Sequence, residues 1–378
     1  MSSEDPAAVL PGIDAHPHAR AVLGSALAPP GHPSHAYLFH GPSGTGKRTV
    51  ARAFAAALLS DGGADRQMVA RRVERGSHPD LTWVIPSGAA EMLVSDVDEP
   101  VIAAATRTPF ESSRRVFVIE GADTMNDQAA NRLLKTLEEP APFVHLLLLA
   151  DRPEDLLATV VSRCQAVRFD PLPSEQIAAR VRAEGVGEER ALACARLALG
   201  DARLARELAG EQGEALRAAG ESLVRGALQG QAAQRPWIAL LEAARAAGEL
   251  LGRELSARDG ADLELLPASD RRRHEREAAE RLRRGERRAR TRSVDLALCL
   301  GGLWLRDLAC VADGAPEIVH AVDRRVALAA DASGRSSSDL RVGLALVEDT
   351  RRRLDLNVSE ELALEALTYR LEELLGPD

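Results

Sequence analysis

No stretch limits what this chain can fold into as strongly as Gly41-Pro-Ser-Gly-Thr-Gly-Lys-Arg-Thr49. It fits the phosphate-cradling pattern G-x-x-x-x-G-K-[ST] at every position but the last. Gly41, Gly44 and Gly46, with Thr45 among them, let the backbone turn tightly enough to aim several N–H groups at a phosphate. Lys47 adds a point charge, and a following helix would add its positive N-terminal end. The flanks agree with that setting. His35-Ala-Tyr-Leu-Phe-His40 reads as a short buried strand, and Val50 to Leu59, rich in alanine and leucine, reads as a helix. Strand, glycine loop and helix together imply a nucleotide-binding ancestry.

The last position of the pattern departs from it. Residue 48 should carry the hydroxyl that ligates Mg²⁺, and it is Arg48. A guanidinium cannot ligate a metal, and its charge repels one. Thr49 follows, but one helical step turns a side chain by roughly 100°, so it serves the metal only through a register shift. The expectation is a phosphate site without a good Mg·ATP site.

In chain order, prolines at 11, 29, 30 and 33 surround a helical pattern at Ala19–Leu27, an N-terminal helix docking ahead of the first strand. Ser60 to Ala64 is a break, followed by a basic segment, Arg66–Arg75. Leu81–Ile85 reads as a strand, and Asp98–Arg107 as a helix with Pro100 in its first turn. Arg115-Val-Phe-Val-Ile-Glu120 is a buried strand with an acid at its C-terminal end, where the second Mg²⁺-directed carboxylate belongs. The next residue, where an ATPase of this kind wants a water-activating carboxylate, is Gly121; Asp123 reads as a surface or capping residue. Arg48 and Gly121 are independent defects in one site, so hydrolysis by this chain is not expected.

Asn126–Glu139 reads as an amphipathic helix closed by Pro140, and Val144–Ala150 as another buried strand. Ser162-Arg163-Cys164 precedes strand-like Ala166–Phe169 and the break Asp170-Pro-Leu-Pro173. Apolar strands alternating with helices mean an α/β domain with a mainly parallel sheet. From Ser174 no strand pattern appears. A small helical unit runs to residue 211, and a helical remainder follows with breaks near Gly230, Gly260, Gly314 and Ser333–Ser338. The organisation expected is therefore 1–171, 172–211 and 212–378.

The net charge is −9 and the only lysines are Lys47 and Lys135, which excludes a polycation that coats nucleic acid. Apolar runs such as Leu296–Leu305 are too short to span a bilayer, and the N-terminus lacks the pattern of a signal peptide. A cytoplasmic protein with no membrane partner is expected. The four cysteines (164, 194, 299 and 310) have no zinc or disulfide spacing. Cys164 reads as a small packed side chain rather than a reactive thiol. His35, His40, His78 and His145 lack ligand spacing and read as structural.

Arg271–Arg292 holds eleven arginines against four glutamates. Glu277–Arg281 and Glu280–Arg284 fall at i,i+4, so a solvated helix with its own ion pairs is the first reading. A contact to DNA phosphate is the second. No aromatic side chains interleave for base stacking.

The chain resembles the delta-prime type of the bacterial DNA polymerase III clamp-loader family, which belongs to the AAA+ proteins. The residues that carry the resemblance are Ala36–Lys47, His78-Pro-Asp-Leu81, Thr108-Pro-Phe-Glu111, Arg115–Asp123, Asn126, Leu133-Leu-Lys-Thr-Leu-Glu-Glu-Pro140 and Ser162-Arg-Cys164. Leu356-Asn-Val358 and Leu362–Leu367 add a weaker similarity in the C-terminal third. The resemblance implies a RecA-like AAA+ P-loop domain, a small helical lid and an all-α collar that joins five subunits. It implies tau/gamma and delta subunits as partners, with the sliding clamp and primed DNA met through the complex. It also implies an accessory role in a DNA-directed DNA polymerase holoenzyme, a nucleotidyltransferase complex.

A delta-prime type subunit does not hydrolyse ATP. By the resemblance, Arg163 is the arginine finger presented to a neighbour's nucleotide, and Arg203 falls where a lid arginine reads phosphates. An ordinary surface arginine is the other reading of Arg203. ATP or ADP held without hydrolysis is the cofactor expected. A tau/gamma-like motor subunit is the alternative, with Arg48 and Gly121 against it. Many relatives carry a four-cysteine zinc module after the loop helix; residues 60–77 contain no cysteine here, so no zinc is expected.

Overall fold

The computed structural model describes residues 9–28, 31–60, 65–86, 91–264, 268–354 and 358–377, much of 254–284 as backbone only. It divides into two compact units. The first is Met1–Pro173 with Gly200–Ala202, and the second is Ser174–Leu199 with Arg203–Asp378.

The first unit is built on a five-stranded parallel sheet: β1 (Ala36–His40), β2 (Leu81–Val84), β3 (Arg115–Glu120), β4 (Val144–Ala150) and β5 (Gln165–Arg168), in the order β2-β3-β4-β1-β5. Its strands are apolar throughout because both faces are covered. Tyr37, Phe39, Val116, Val118, Leu147 and Leu149 point to one layer of helices, and Leu38, Phe117, Ile119, Leu146 and Leu148 point to the other. The first layer holds α1 (Pro17–Leu27), α2 (Lys47–Leu59) and α3 (Arg66–Glu74); the second holds α4 (Val94–Val97), α5 (Asp127–Glu138) and α6 (Ala158–Val161). Two helix starts show recognisable N-terminal signals. Pro17 opens α1, and the Asn126 side chain accepts the N–H of Ala129 at 2.9 Å to cap α5. Parallel strands placed side by side bring the ends of β1, β3 and β4 to one rim, where open α/β sheets bind ligands.

Two local expectations change. The basic segment after the loop helix is a regular helix, α3, capped by Asp65. The helix expected from Asp98 begins earlier, at Val94, and continues as a π-helical turn over Asp98–Ala103. Pro100 has no N–H to give to an α-helical bond, so the wider register there forfeits nothing at that residue.

The second unit is all helix among the described residues: α7 (Ser174–Ala183), α8 (Glu188–Leu197), α9 (Ala202–Ala209), α10 (Glu211–Leu228), α11 (Trp237–Glu264), α12 (Ala268–Ala312), α13 (Arg325–Ala332), α14 (Ser337–Leu354) and α15 (Glu360–Leu375). Its core gathers Leu216, Leu223, Trp237, Trp304, Leu308 and Leu371. α11 runs through Gly260 itself, and the break expected near it comes a few residues later, where α11 ends at Glu264 and α12 begins at Ala268. One helical glycine costs about 1 kcal/mol against alanine, less than the packing of a long helix returns. Breaks do occur at Gly230, Gly314 and Ser333–Ser336. The basic run lies in α12; the pairs Glu277–Arg281 and Glu280–Arg284 fall outside the described side chains. At its C-terminal end, Arg290 pairs with Glu360 at 2.6 Å and Arg292 with Glu207 at 3.4 Å.

Candidate functional site

At the C-terminal end of β1 the chain turns through Gly41–Gly46, and Gly46, in a left-handed conformation, opens α2. The loop is anchored from below by an unforeseen residue. His16, buried at the start of α1, lies 2.7 Å through Nε2 from the Thr45 carbonyl, and its ring meets Phe169 at a tilt of 57° with centroids 4.9 Å apart. Lys47 is buried at the loop's centre. Its ammonium donates to the Gly41 carbonyl, to the Pro42 carbonyl at 2.7 Å, and to Asp151 Oδ1 at 2.7 Å. An ammonium has three N–H groups, and all three are used.

Asp151 is the first residue after β4. Asp123 Oδ2 accepts the N–H groups of Asp151 and Arg152 at 3.2 and 3.0 Å, which makes Asp123 the capping residue expected of it. Asp201, far along the chain, closes the loop from another side. A β-carbon built on Gly44, whose φ is +69°, would stand 1.6 Å from Asp201 Oδ1, so that carboxylate abuts the loop backbone itself.

Arg48 meets Glu120 directly, Nε to Oε2 at 3.0 Å. The same Oε2 accepts Trp83 Nε1–H at 3.0 Å, and the Arg52 guanidinium lies 5.0 Å over the Trp83 ring. The expected Mg²⁺-directed acid is therefore held by an arginine and an indole. Thr49, exposed on the first turn of α2, is not turned into the core. Gly121 has φ +67°, and a β-carbon there would lie 3.1 Å from Pro86 Cγ. A glutamate at 121 would carry a left-handed backbone penalty as well as crowding. Burial, with His18, Arg168 and Lys47 nearby, holds the His40 imidazole below its ordinary value, so it adds no charge to the loop near neutral pH.

The side chains present do not fit Mg·ATP. The metal position is spanned by Arg48 and Glu120, the lysine is consumed, and a carboxylate abuts the loop. The structure thus brings Gly41, Gly44, Thr45, Gly46, Lys47, Arg48 and Glu120 together and leaves Thr49 aside. Arg203 lies in the second unit, exposed on α9.

Arg163 stands elsewhere on the first unit, two residues after α6. Its guanidinium donates to the Thr159 carbonyl at 2.8 Å and pairs with Glu138 Oε1 at 2.5 Å, at the last turn of α5. About a third of the side chain is exposed. The Leu-Glu-Glu-Pro and Ser-Arg-Cys segments, distant in sequence, thereby meet through one ion pair. Burial pushes the Cys164 thiol up to about 12, so it is a packed, un-ionised group.

The His-Pro-Asp and Thr-Pro-Phe-Glu segments also meet. Asp80 is buried and accepts the N–H groups of Phe110, Glu111 and Ser112 at 2.5, 2.9 and 2.9 Å. Burial opposes its ionisation, but the three N–H groups outweigh that and hold its carboxyl below the usual range. Among the described residues no helix is long and apolar enough to cross a membrane.

The profile of the family described as "DNA polymerase III, delta subunit" matches residues 16–173. The chain is 37% identical over 164 residues to DNA polymerase III subunit delta' of Bacillus subtilis, covering 42% of this chain and 49% of that protein. It is 37% identical over 145 residues to the Pseudomonas aeruginosa subunit delta', covering 37% and 44%. DNA polymerase III subunit tau of Bacillus subtilis is 32% identical over 153 residues, 39% of this chain and 27% of that one. The matched stretch spans about half the length of the delta' relatives. A DNA polymerase III gamma subunit-related protein of Thermotoga maritima aligns over 94% of this chain and 98% of its own at 16% identity, with a TM-score of 0.46. Over residues 16–173 the chain is thus similar to the DNA polymerase III delta-subunit family, with delta' subunits among the relatives it matches.

Proposed function

We propose that the chain is a delta-prime-like subunit of the replicative DNA polymerase III clamp loader that does not hydrolyse ATP. In this reading it joins tau/gamma and delta subunits and supplies Arg163 to a neighbour's nucleotide while the sliding clamp is loaded on primed DNA. The observation that carries the reading is the Arg48–Glu120 pair, which puts an arginine where a motor subunit holds its metal. Gly121 supports it independently, because its backbone disfavours the carboxylate that would activate water. A chain that cannot use its own phosphates well still carries an arginine on a partly exposed edge, and a planar guanidinium fork suits a phosphate. Arg203 is the candidate for a second phosphate contact.

The test is a loader assembled from this chain with its tau/gamma and delta partners, with and without Arg163→Ala. The variant should assemble normally and lower ATPase stimulated by clamp and DNA. Fingers elsewhere are worth on the order of 10³–10⁵ in rate at one site, and a loader with several sites should lose less overall. Arg163→Lys should rescue poorly. Normal loading by an assembled Arg163→Ala complex would sink the finger.

The similarity to a tau subunit favours one other reading, a motor subunit. It requires the isolated chain to turn over ATP at about 1 s⁻¹ or faster; no measurable turnover excludes it.

A further inference from the structure

The phosphate loop is complete in sequence through Lys47, yet the chain's own carboxylates answer every charge in it. Lys47 faces Asp151, Arg48 faces Glu120, and Asp201 abuts Gly44. Two cations therefore meet three carboxylates before any ligand arrives. A nucleoside polyphosphate carries several negative charges of its own, and it would have to displace Asp151 and Asp201 to reach the lysine and the loop backbone.

We infer that Asp151 and Asp201 close the loop as internal stand-ins for phosphate, and that without them it is a nucleoside polyphosphate site needing no Mg²⁺. This rests on the proposed non-hydrolysing role and concerns why the loop is silent. Both carboxylates come from outside the loop, Asp151 from the end of β4 and Asp201 from just before α9. The loop itself is intact. Gly44 and Gly46 keep the left-handed turns, and α2 starts at Lys47 with its N–H groups toward the loop.

The independence from metal comes from Arg48. A divalent ion at this position would bridge phosphate oxygens to an acid. The Arg48 guanidinium already sits on Glu120 at 3.0 Å and has further N–H donors for a phosphate oxygen. Trp83, hydrogen-bonded to the same Glu120 oxygen, lies beside that position, whereas Trp237 and Trp304 are buried in the other unit.

The experiment uses the full chain and the nearly isosteric variants Asp151→Asn, Asp201→Asn and the double variant, each checked for fold by its melting curve. Binding of ATP and ADP is titrated calorimetrically and through tryptophan emission, in Mg²⁺ and again in EDTA. The unaltered chain should bind with a Kd of about 1 mM or weaker, and the double variant at least about tenfold tighter. That affinity should be the same in Mg²⁺ and EDTA and lost on adding Lys47→Ala.

A folded double variant with no gain, or a gain that requires Mg²⁺, overturns the inference. So does an unaltered chain that binds Mg·ATP at micromolar concentration, a result that needs no variant to fold. Failure here leaves the Arg163 role standing. ATP hydrolysis by the double variant would instead break the non-hydrolysing reading while sustaining the closure.

Discussion

The phosphate loop and the centre of the helical unit both gather arginine or lysine against carboxylates, and they do so under opposite conditions. At the loop, each pair keeps a foot in water: Arg48 is 48% exposed, and Asp151, the partner of buried Lys47, is 52% exposed. In the helical unit, Arg217 is 1% exposed and Glu221 7%. Arg217 donates to Glu221 at 2.9 Å and reaches both oxygens of Asp323 at 2.8 Å, while Arg324 pairs with Glu221 and Glu214. A half-exposed pair gains little from its Coulomb term and loses little when water or another anion replaces a partner. A buried network has no such replacement, because removing one member strands the others away from water. The first arrangement suits a place where partners exchange, and the second suits a scaffold.

The sharpest way to break this contrast is Arg217→Met. It fills similar volume but leaves Asp323 and Glu221 short of a buried partner, and the expected loss is about 3–5 kcal/mol. For a unit of this size that lowers the melting temperature by roughly 6 °C or more. A shift within a degree or two would mean that water already reaches the network.

An intermediate effect is expected at Asp80, which is buried like Arg217 but satisfied by backbone N–H groups rather than by counter-charges. Asp80→Asn should cost about 2 kcal/mol, the range for hydrogen bonds to a charged group. The pH dependence fixes the cause. The folded-state carboxyl lies below its ordinary value, so its contribution is complete above about pH 4 and fades as pH falls through the folded value. Denaturation midpoints of the two proteins should differ at pH 7 and converge toward pH 3. A constant difference across that range would assign the effect to packing instead.

Much of the first unit was readable because its signals are local. Strands buried on both faces are apolar runs, Asn126 marks a helix start, and the glycine loop declares itself by spacing. The defects at Arg48 and Gly121 were readable for the same reason, since each is a wrong residue at a position the motif defines. What stayed hidden is what folding brings from afar. Asp201 against Gly44, Glu138 on Arg163 and His16 under Thr45 join residues with no shared pattern, and a lone acid or histidine reads as surface until its neighbour is known. Gly260 misled by only a few residues, since α11 ends at Glu264. As a local signal it marks a break, but α11 packs along α12 closely enough that a β-carbon on Gly248 would stand 3.0 Å from the Glu286 carbonyl oxygen. At Gly248 the glycine serves close approach, and there the tertiary contact overrides the local preference.

The smallest effect tests the other end of the contrast. Arg48→Ala removes a cation whose pair with Glu120 is half in water, and Glu120 keeps its hydrogen bond from Trp83 Nε1. No buried charge is stranded, because a quarter of the Glu120 side chain is itself exposed. The cost in stability should therefore stay within about 1 kcal/mol, the ordinary worth of an exposed pair, and shrink further in high salt as the charges are screened. Tryptophan emission should shift all the same, since Trp83 shares its acceptor with the deleted guanidinium. A loss of about 3 kcal/mol or more, as for a broken buried pair, would make Arg48 part of the scaffold. The loop's ion pairs would then be as fixed as those around Arg217, and partner exchange would no longer distinguish the two regions.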